Sequence, residues 1–275
     1  MAKKNTTILK QIFNDDGIDE FINVFPNKVG SKGFDAWGFN LRSLKDSLRV
    51  IKFLYEDYFR VEAFGLENIP KEGRCLIIAN HSGQLPIDGL LIAYAMVSNT
   101  HGARAPKAMA EKFFPTVPFV GNWLNSVGAV VGDTTNCERM LNNEEAIVVF
   151  PEGVRGSGKL FSKRYQLARF GNGFMHLAMK NKAPIIPVGV VGCEESIISL
   201  TDMKPLAKLL GIPYAPLVVP FVIPSKVYLH FGEPMYFEND VHSEHLITKR
   251  VDTVKAAINN LIKDGLDKRT SIFQK

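Results

Sequence analysis

The stretch 74–97, RCLIIANHSGQLPIDGLLIAYAMV, decides the fold class of this chain. It opens with an apolar run that ends at Ala79, breaks at His81, and resumes after Pro86 as an apolar pattern that reaches about Val97. A short apolar run bounded by turn residues is typical of a buried strand, and proline suits the first turn of a helix. The stretch therefore predicts a buried strand, a loop that carries His81, and a helix.

The same alternation continues outward in both directions. Further strands are predicted at 127–131, 146–150, 185–191 and 226–231, and helices at 41–59, 163–180 and about 243–264. Strands that alternate with helices indicate an α/β fold, here a single domain with a mixed, largely parallel sheet flanked by helices. We expect an irregular N-terminal lead-in over 1–40 and one functional domain over 41–275. That domain comprises the amphipathic helix 41–59, a core of about 60–235 and the C-terminal helix.

Composition narrows the partners and the compartment. The 275 residues are 46% hydrophobic and carry a formal net charge of +5, which favours an anionic partner: nucleic acid, an anionic membrane face or a phosphorylated ligand. The three cysteines form no CxxC pair, which is typical of a reducing compartment. The sequence has no signal-peptide pattern and no run of about 20 apolar residues that would span a membrane. We therefore expect a cytoplasmic protein that can still sit on a membrane.

The loop after the first strand contains a possible catalytic pair. Asp88 follows His81 by seven positions, and the breaks at Gly83 and Pro86 allow a folded loop to bring the two side chains together. A carboxylate on one imidazole nitrogen fixes the tautomer and leaves the other nitrogen as a base for a reacting hydroxyl. Alternatively, His81 only ends a strand and Asp88 only caps its own helix. The spacing alone leaves both interpretations open.

A second strand-to-loop corner lies at 146–161, AIVVFPEGVRGSGKLF. Gly153 to Lys159 fits the nucleotide-binding pattern G-x-x-x-x-G-K, but Leu160 stands where a Ser or Thr would hold Mg²⁺. The glycine amides, Arg155 and Lys159 could instead form a cradle for an anion, or the segment could be a solvated basic turn. Together, the two corners favour a phosphorylated substrate with a reacting hydroxyl.

Three motifs in one order carry a family resemblance: NHSGQLPIDG at 80–89, FPEGVRG at 150–156 and APIIPVGVVG at 183–192. This set resembles the glycerolipid acyltransferases, that is, the lysophosphatidic acid acyltransferase superfamily with its bacterial, monoacylglycerol-acyltransferase-like branch. The resemblance runs from about 58 to 234 and implies a glycerol-phosphate-acyltransferase-like domain. It implies a general base at His81, oriented by Asp88, although Asp88 lies two positions later than in the usual pattern.

The resemblance also implies which residues meet the acceptor. The positions of the FPEG motif imply acceptor binding by Glu152, Gly153 and Arg155, and the possible anion cradle adds Lys159 as a substrate-binding residue. In a further motif of the family, Gly132 and Asp133 stand where an arginine is expected.

The implied activity is transfer of a fatty acyl group to a hydroxyl of a lysophospholipid or related lipid. The donor is acyl-CoA or acyl-carrier protein, and we expect no metal, no other cofactor and no nucleic-acid partner. The apolar, proline-broken segment 206–224 fits insertion into an anionic membrane surface, which would keep the enzyme peripherally on the inner face of the membrane. The alternative for this segment is to cover a core edge. The alternatives for the whole chain are an inactive lipid-binding or scaffold protein of the same fold, or a nucleotide-dependent enzyme.

Overall fold

The structure is a computed structural model, and it describes residues 33–82, 85–111, 120–203, 216–240 and 243–273. Its strands are β1 (Glu62–Phe64), β2 (Cys75–Ala79), β3 (Lys107–Ala110), β4 (Ala129–Val131), β5 (Ala146–Val149), β6 (Ile185–Val191), β7 (Ser199–Asp202), β8 (Pro216–Val218) and β9 (Tyr228–Phe231). Seven of them form one sheet in the order β1-β9-β6-β2-β5-β3-β4. Every neighbouring pair in it is parallel except β6 with β9. The predicted fold class, a mixed and largely parallel sheet with flanking helices, is confirmed.

Helices cover both faces of this sheet. They are α1 (Leu41–Phe53), α2 (Ile87–Val97), α3 (Val120–Ser126), α4 (Thr134–Asn142), α5 (Val154–Ser157), α6 (Gly173–Asn181), α7 (Cys193–Ser196) and α8 (Glu244–Lys268). One apolar cluster joins the sheet to α4, α6 and α8, and another joins it to α2. Strands β2 and β6 lie between the two clusters and are buried along their whole length. Burial on both faces explains why these two strands are continuously apolar rather than alternating.

The helix predicted at 41–59 is present in two segments. The side chain of Asn40 caps the start of α1 by accepting the Ser43 amide hydrogen at 3.0 Å, and a π-helical turn over Leu54–Tyr58 follows α1 directly. The apolar stripe of α1, which includes Leu48 and Ile51, packs against α2. The apolar face of this helix is therefore used inside the domain.

The predicted helix at 163–180 is wrong in its first half, since α6 begins only at Gly173. Residues upstream of α6 are irregular because their amide hydrogens bind buried carboxylates: Tyr165 donates to Glu194 at 2.7 Å, and Ala168 donates to Glu152 at 2.6 Å. These donors are therefore not used for helical hydrogen bonds. This irregular segment reaches the second corner and contributes to the candidate site.

Other predicted boundaries differ by a few residues. The predicted strands at 127–131, 146–150 and 226–231 shorten to β4, β5 and β9, whereas α8 extends to Lys268. Strands β1 and β3 were not predicted; their sequences, EAF and KAMA, contain charged residues rather than a continuous apolar run. Part of the segment 206–224 and most of the lead-in 1–40 lie outside the described residues. The described part of the former contains β8, which pairs with β7 in a small antiparallel sheet, the β7–β8 ribbon.

Candidate active site

The first corner brings His81 and Asp88 into contact. Strand β2 ends at Ala79 and α2 begins at Ile87, and His81 Nδ1 lies 2.7 Å from Asp88 Oδ2. The Asp88 side chain has no exposed surface. It lies in the first turn of α2, where the helix dipole favours a carboxylate.

Three more hydrogen bonds hold the Asp88 carboxylate in place. Its Oδ2 accepts the main-chain amide of Ser82 at 2.7 Å and the Ser82 hydroxyl at 3.1 Å, and its Oδ1 accepts the Gly89 amide at 2.8 Å. An ionised carboxylate only accepts hydrogen bonds, so the proton between the two side chains lies on His81 Nδ1. In the neutral ring the lone pair is then on Nε2, as a general base requires.

Opposing effects set the pKa of His81. Burial lowers the pKa, whereas the charge and hydrogen bond of Asp88 raise it, helped by the carboxylates of Glu152 and Glu111. The net result is a His81 pKa above its ordinary value of 6.5. The ring is therefore a stronger base than a free imidazole, and it is neutral only at correspondingly higher pH.

An apolar cavity of about 100 Å³ adjoins His81. Phe150 forms one wall and stacks on the imidazole with ring centroids 4.5 Å apart. Leu90, Met109 and Leu124 are among the other lining residues. Apart from His81, the ionisable residue in the described lining is Glu111, and that lining contains no Lys or Arg. The arrangement can hold an apolar group beside a base.

The second corner supports the first from behind. Glu152 is 1% exposed, and its Oε1 accepts the main-chain amide of His81 at 3.0 Å while its Oε2 accepts the amide of Ala168. The chain then passes so close to His81 that a Cβ on Gly156 would lie 2.7 Å from the His81 Cβ and 2.8 Å from that of Glu152. Real Cβ atoms do not approach so closely, so only glycine fits there without a shift.

The loop of the second corner binds its own polar groups. The amides of Gly156, Gly158 and Lys159 donate to carbonyls of the same loop at 2.8, 2.9 and 3.2 Å, so they do not point at a ligand. The side chain of Lys159 is 8% exposed, with its Nζ 2.8 Å from Glu194 Oε1 and 3.5 Å from Glu152 Oε2. The ammonium is therefore paired with carboxylates, and its role in an anion cradle stays a prediction.

The four predicted substrate-binding residues thus have different surroundings. Gly153 lines the cavity and has a left-handed φ of 54°, and an added Cβ would lie 3.1 Å from Glu111 Oε1. Arg155 is exposed and donates from Nη2 to the Arg169 carbonyl at 3.2 Å. Glu152 and Lys159 are buried and bound to protein groups. Their contact with a substrate stays a prediction.

Sequence reasoning missed a set of buried polar residues that extends this corner. Tyr165 adopts a left-handed φ of 62° and donates its hydroxyl to Glu195 Oε1 at 2.9 Å, and Glu195 also pairs with Arg269 after α8. Holding a non-glycine residue in this conformation costs about 1–3 kcal/mol, which the surrounding bonds must offset. The sequence does contain one indication of this cluster: two adjacent carboxylates, Glu194 and Glu195, lie shortly after the buried strand β6.

In the described ranges no group of three or more His, Cys, Asp or Glu side chains is arranged to bind a metal ion. No helix in those ranges is long and apolar enough to cross a membrane.

Comparison with known proteins identifies the class to which this fold and site belong. The acyltransferase family model matches residues 60–191, which include both corners. The crystal structure of the 1-acyl-sn-glycerophosphate (LPA) acyltransferase PlsC from Thermotoga maritima has the same fold, with a TM-score of 0.57 and 20% identity over 96% of this chain and 93% of that one.

Sequence relatives lead to the same family. An uncharacterized protein of Mycobacterium tuberculosis is 35% identical over 260 residues, which cover 89% of this chain and 73% of the relative. The "DGAT1/2-independent enzyme synthesizing storage lipids" of Bos taurus is 30% identical over 249 residues, which cover 87% of this chain and 71% of the relative. The chain belongs to the acyltransferase family, and the family predicted from its motifs is confirmed.

Proposed function

We propose that this protein transfers a fatty acyl group from an acyl thioester to a hydroxyl of a lipid acceptor, with His81 as general base and Asp88 as the residue that orients it. The observation that carries the proposal is the His81–Asp88 contact of 2.7 Å at the wall of an apolar cavity. Family membership supports acyl transfer, and the cavity offers an apolar surface for part of a lipid.

The proposed chemistry is a direct transfer. The acceptor hydroxyl donates its proton to His81 Nε2 as its oxygen attacks the thioester carbonyl, and the imidazolium is stabilised by Asp88. Collapse of the tetrahedral intermediate breaks the carbon–sulfur bond, and the leaving thiolate takes the proton back from His81. The new ester and a free thiol of CoA or of acyl-carrier protein are the products. Acyl-CoA or acyl-carrier protein is thus a co-substrate.

The proposed acceptor is a lysophospholipid or a related lipid, and an uncharged acylglycerol is the second candidate. Apart from His81, the described cavity lining contains Glu111 and no Lys or Arg, which favours a neutral group over a phosphate. Gly132 and Asp133 at the position of the family's arginine point the same way. The name of the bovine relative, an enzyme synthesizing storage lipids, also supports this second candidate.

The proposal includes a peripheral site of action on the cytoplasmic face of a membrane. The β7–β8 ribbon and the residues just after it expose large apolar side chains: Leu200 is 61% exposed, Leu217 47% and Phe221 72%. Exposed apolar side chains suit the interface of a bilayer, and the net charge of +5 on the protein favours an anionic one.

Acyl transfer can be tested with the purified full-length protein. Labelled long-chain acyl-CoA and acyl-carrier protein are each offered with lysophosphatidate, monoacylglycerol and diacylglycerol, and lipid products are separated and identified by mass. We expect thioester-dependent esterification of at least one acceptor, and preference between charged and neutral acceptors identifies the class. Lipid binding without product from any pair would favour an inactive lipid-binding or scaffold protein of the same fold.

A further inference from the structure

The buried cation behind His81 has no role in the chemistry described above. Lys159 lies on the loop of the second corner, and its ammonium contacts Glu194 Oε1 at 2.8 Å and Glu152 Oε2 at 3.5 Å. All three side chains are at least nine-tenths buried. Two carboxylates and one ammonium therefore share a volume from which water is almost excluded.

Glu152 connects this charge cluster to the base. Its two oxygens accept main-chain amides on opposite sides, from His81 at 3.0 Å and from Ala168 at 2.6 Å. An ionised carboxylate accepts hydrogen bonds on both oxygens and donates none, which suits this arrangement of two amide donors. An ionised buried carboxylate needs a counter-charge, and removal of one partner from such a group is strongly destabilising.

A second carboxylate, Glu194, makes the charge balance around Glu152 depend on Lys159. Burial raises the pKa of Glu194 above its ordinary value, against the attraction of Lys159 and the hydrogen bond from the Tyr165 amide. Without Lys159, Glu152 and Glu194 would face each other with no ammonium between them. Repulsion between the two carboxylates would then shift Glu152 away from the amide of His81 or from that of Ala168.

We propose that Lys159 is a positioning residue, which balances the charge of Glu152 and Glu194 and thereby fixes the main chain of His81, rather than a ligand of the acceptor. The inference rests on the proposed function, in which His81 is the base. It differs from substrate binding in its kinetic signature, since displacement of a base lowers kcat whereas loss of a ligand raises KM.

The kinetic test uses Lys159→Met in the full-length protein, with Lys163→Met as the matched control. Lys163 is exposed on the same loop, so its replacement removes the same charge without touching Glu152 or Glu194. We expect kcat to fall by up to about 100-fold in Lys159→Met, the effect of a small misplacement of a catalytic group, with KM for the acceptor unchanged. The control keeps wild-type kinetics. A raised KM with unchanged kcat would overturn the inference.

A double variant tests the charge balance, and it keeps the inference testable if Lys159→Met does not fold. Lys159→Met with Glu194→Gln removes one charge of each sign and leaves Glu152 without a second carboxylate beside it. We expect kcat and the melting temperature to recover towards the wild-type values. A double variant that is as inactive or as unfolded as Lys159→Met would contradict the inference.

A readout without turnover separates this inference from the proposed function. The NMR signals of the His81 ring and their titration midpoint should change in Lys159→Met, return in the double variant, and stay unchanged in Lys163→Met. A wild-type protein without acyl transfer would contradict the proposed function alone, because the ring signals still report on Lys159. If the NMR signals of the His81 ring do not change in Lys159→Met, the inference is contradicted and the proposed function is not.

Discussion

Asp88 gives His81 both its orientation and its basicity. The carboxylate accepts a hydrogen bond from Nδ1–H and is itself fixed by Ser82 and Gly89, so the ring is held in the tautomer that has its proton on Nδ1. Its negative charge also raises the pKa of His81 against the lowering effect of burial. Both effects depend on one buried side chain, so a single substitution should reveal them together.

Asp88→Asn should change both the rate and its pH dependence. In the proposed mechanism the neutral form of His81 is the active one, so the rate should fall as pH falls through the pKa of His81, which lies above 6.5 in the wild type. Without the Asp88 charge the midpoint of this acid limb should move to lower pH, and kcat/KM at its plateau should fall by about 10²- to 10⁴-fold. A pH profile of kcat/KM measures both, with Asp46→Asn on the surface of α1 as control. An acid limb that stays in place would contradict the pairing.

Gly156→Ala should displace His81. The new Cβ would meet the Cβ atoms of His81 and Glu152 at under 3 Å, and neither backbone can yield without moving the base. A displacement of about 1 Å costs on the order of 100-fold in rate, so we expect a loss of that size. Gly173→Ala is the control: its Cβ meets nothing within 4 Å, and alanine at a helix start should stabilise the fold by about 0.4–1 kcal/mol. Wild-type turnover by Gly156→Ala would contradict the geometry.

The contact of His81 with Asp88 could be anticipated because a turn between a strand and a helix brings nearby residues together. The pairing of Lys159 with Glu194 could not, since 35 positions separate them and only the parallel arrangement of β5 and β6 around β2 brings their ends together. The sequence therefore predicts that Lys159 lies at the second corner, but it does not predict the ion pair with Glu194. Long-range pairing of buried charges leaves no local pattern.

The segment before α6 shows the same limit for secondary structure. Its residues have helical spacing, and the helix predicted at 163–180 follows from that spacing. Two carboxylates from elsewhere, Glu152 and Glu194, bind the amides of Ala168 and Tyr165 and draw the segment out of helical geometry. Strands β2 and β6 were predicted well because burial on both faces leaves a continuous apolar run.

The β7–β8 ribbon should provide the membrane contact. The double variant Leu217→Asp and Phe221→Asp places charges on exposed apolar side chains, so we expect weaker sedimentation with anionic vesicles and no change in melting temperature. Tyr236→Asp is the matched control, because Tyr236 is 72% exposed, as Phe221 is, and lies outside both the ribbon and the residues just after it. Equal vesicle binding by wild type, the double variant and Tyr236→Asp would contradict a membrane contact through the ribbon.

The stability of the whole domain should depend on His230. This side chain on β9 is 6% exposed, stacks on Phe64, and its Nε2 has no hydrogen-bond partner among the described residues. Burial, with the charge of Lys268, lowers the pKa of His230 below 6.5. The unfolded chain therefore binds this proton more readily, and stability falls as pH falls below about 6.5.

His230→Phe should therefore gain stability relative to wild type as the solution is acidified. His81 acts in the opposite direction: its raised pKa makes a contribution to stability that is complete below pH 6.5 and is lost as pH rises through the pKa of the folded state. Urea unfolding at pH 8 and at pH 5.5 measures the difference between wild type and His230→Phe. A difference that is independent of pH would contradict the role of His230.

A largely parallel sheet places His81, Asp88 and an apolar cavity together, and the proposed function makes His81 the base of acyl transfer. The most direct test is the rate of transfer from an acyl thioester to the preferred lipid acceptor by wild type and by His81→Ala, with binding of the acceptor measured in parallel. The account predicts a fall in kcat of at least about 10²- to 10⁴-fold with acceptor binding retained. Turnover by His81→Ala at the wild-type rate would contradict it.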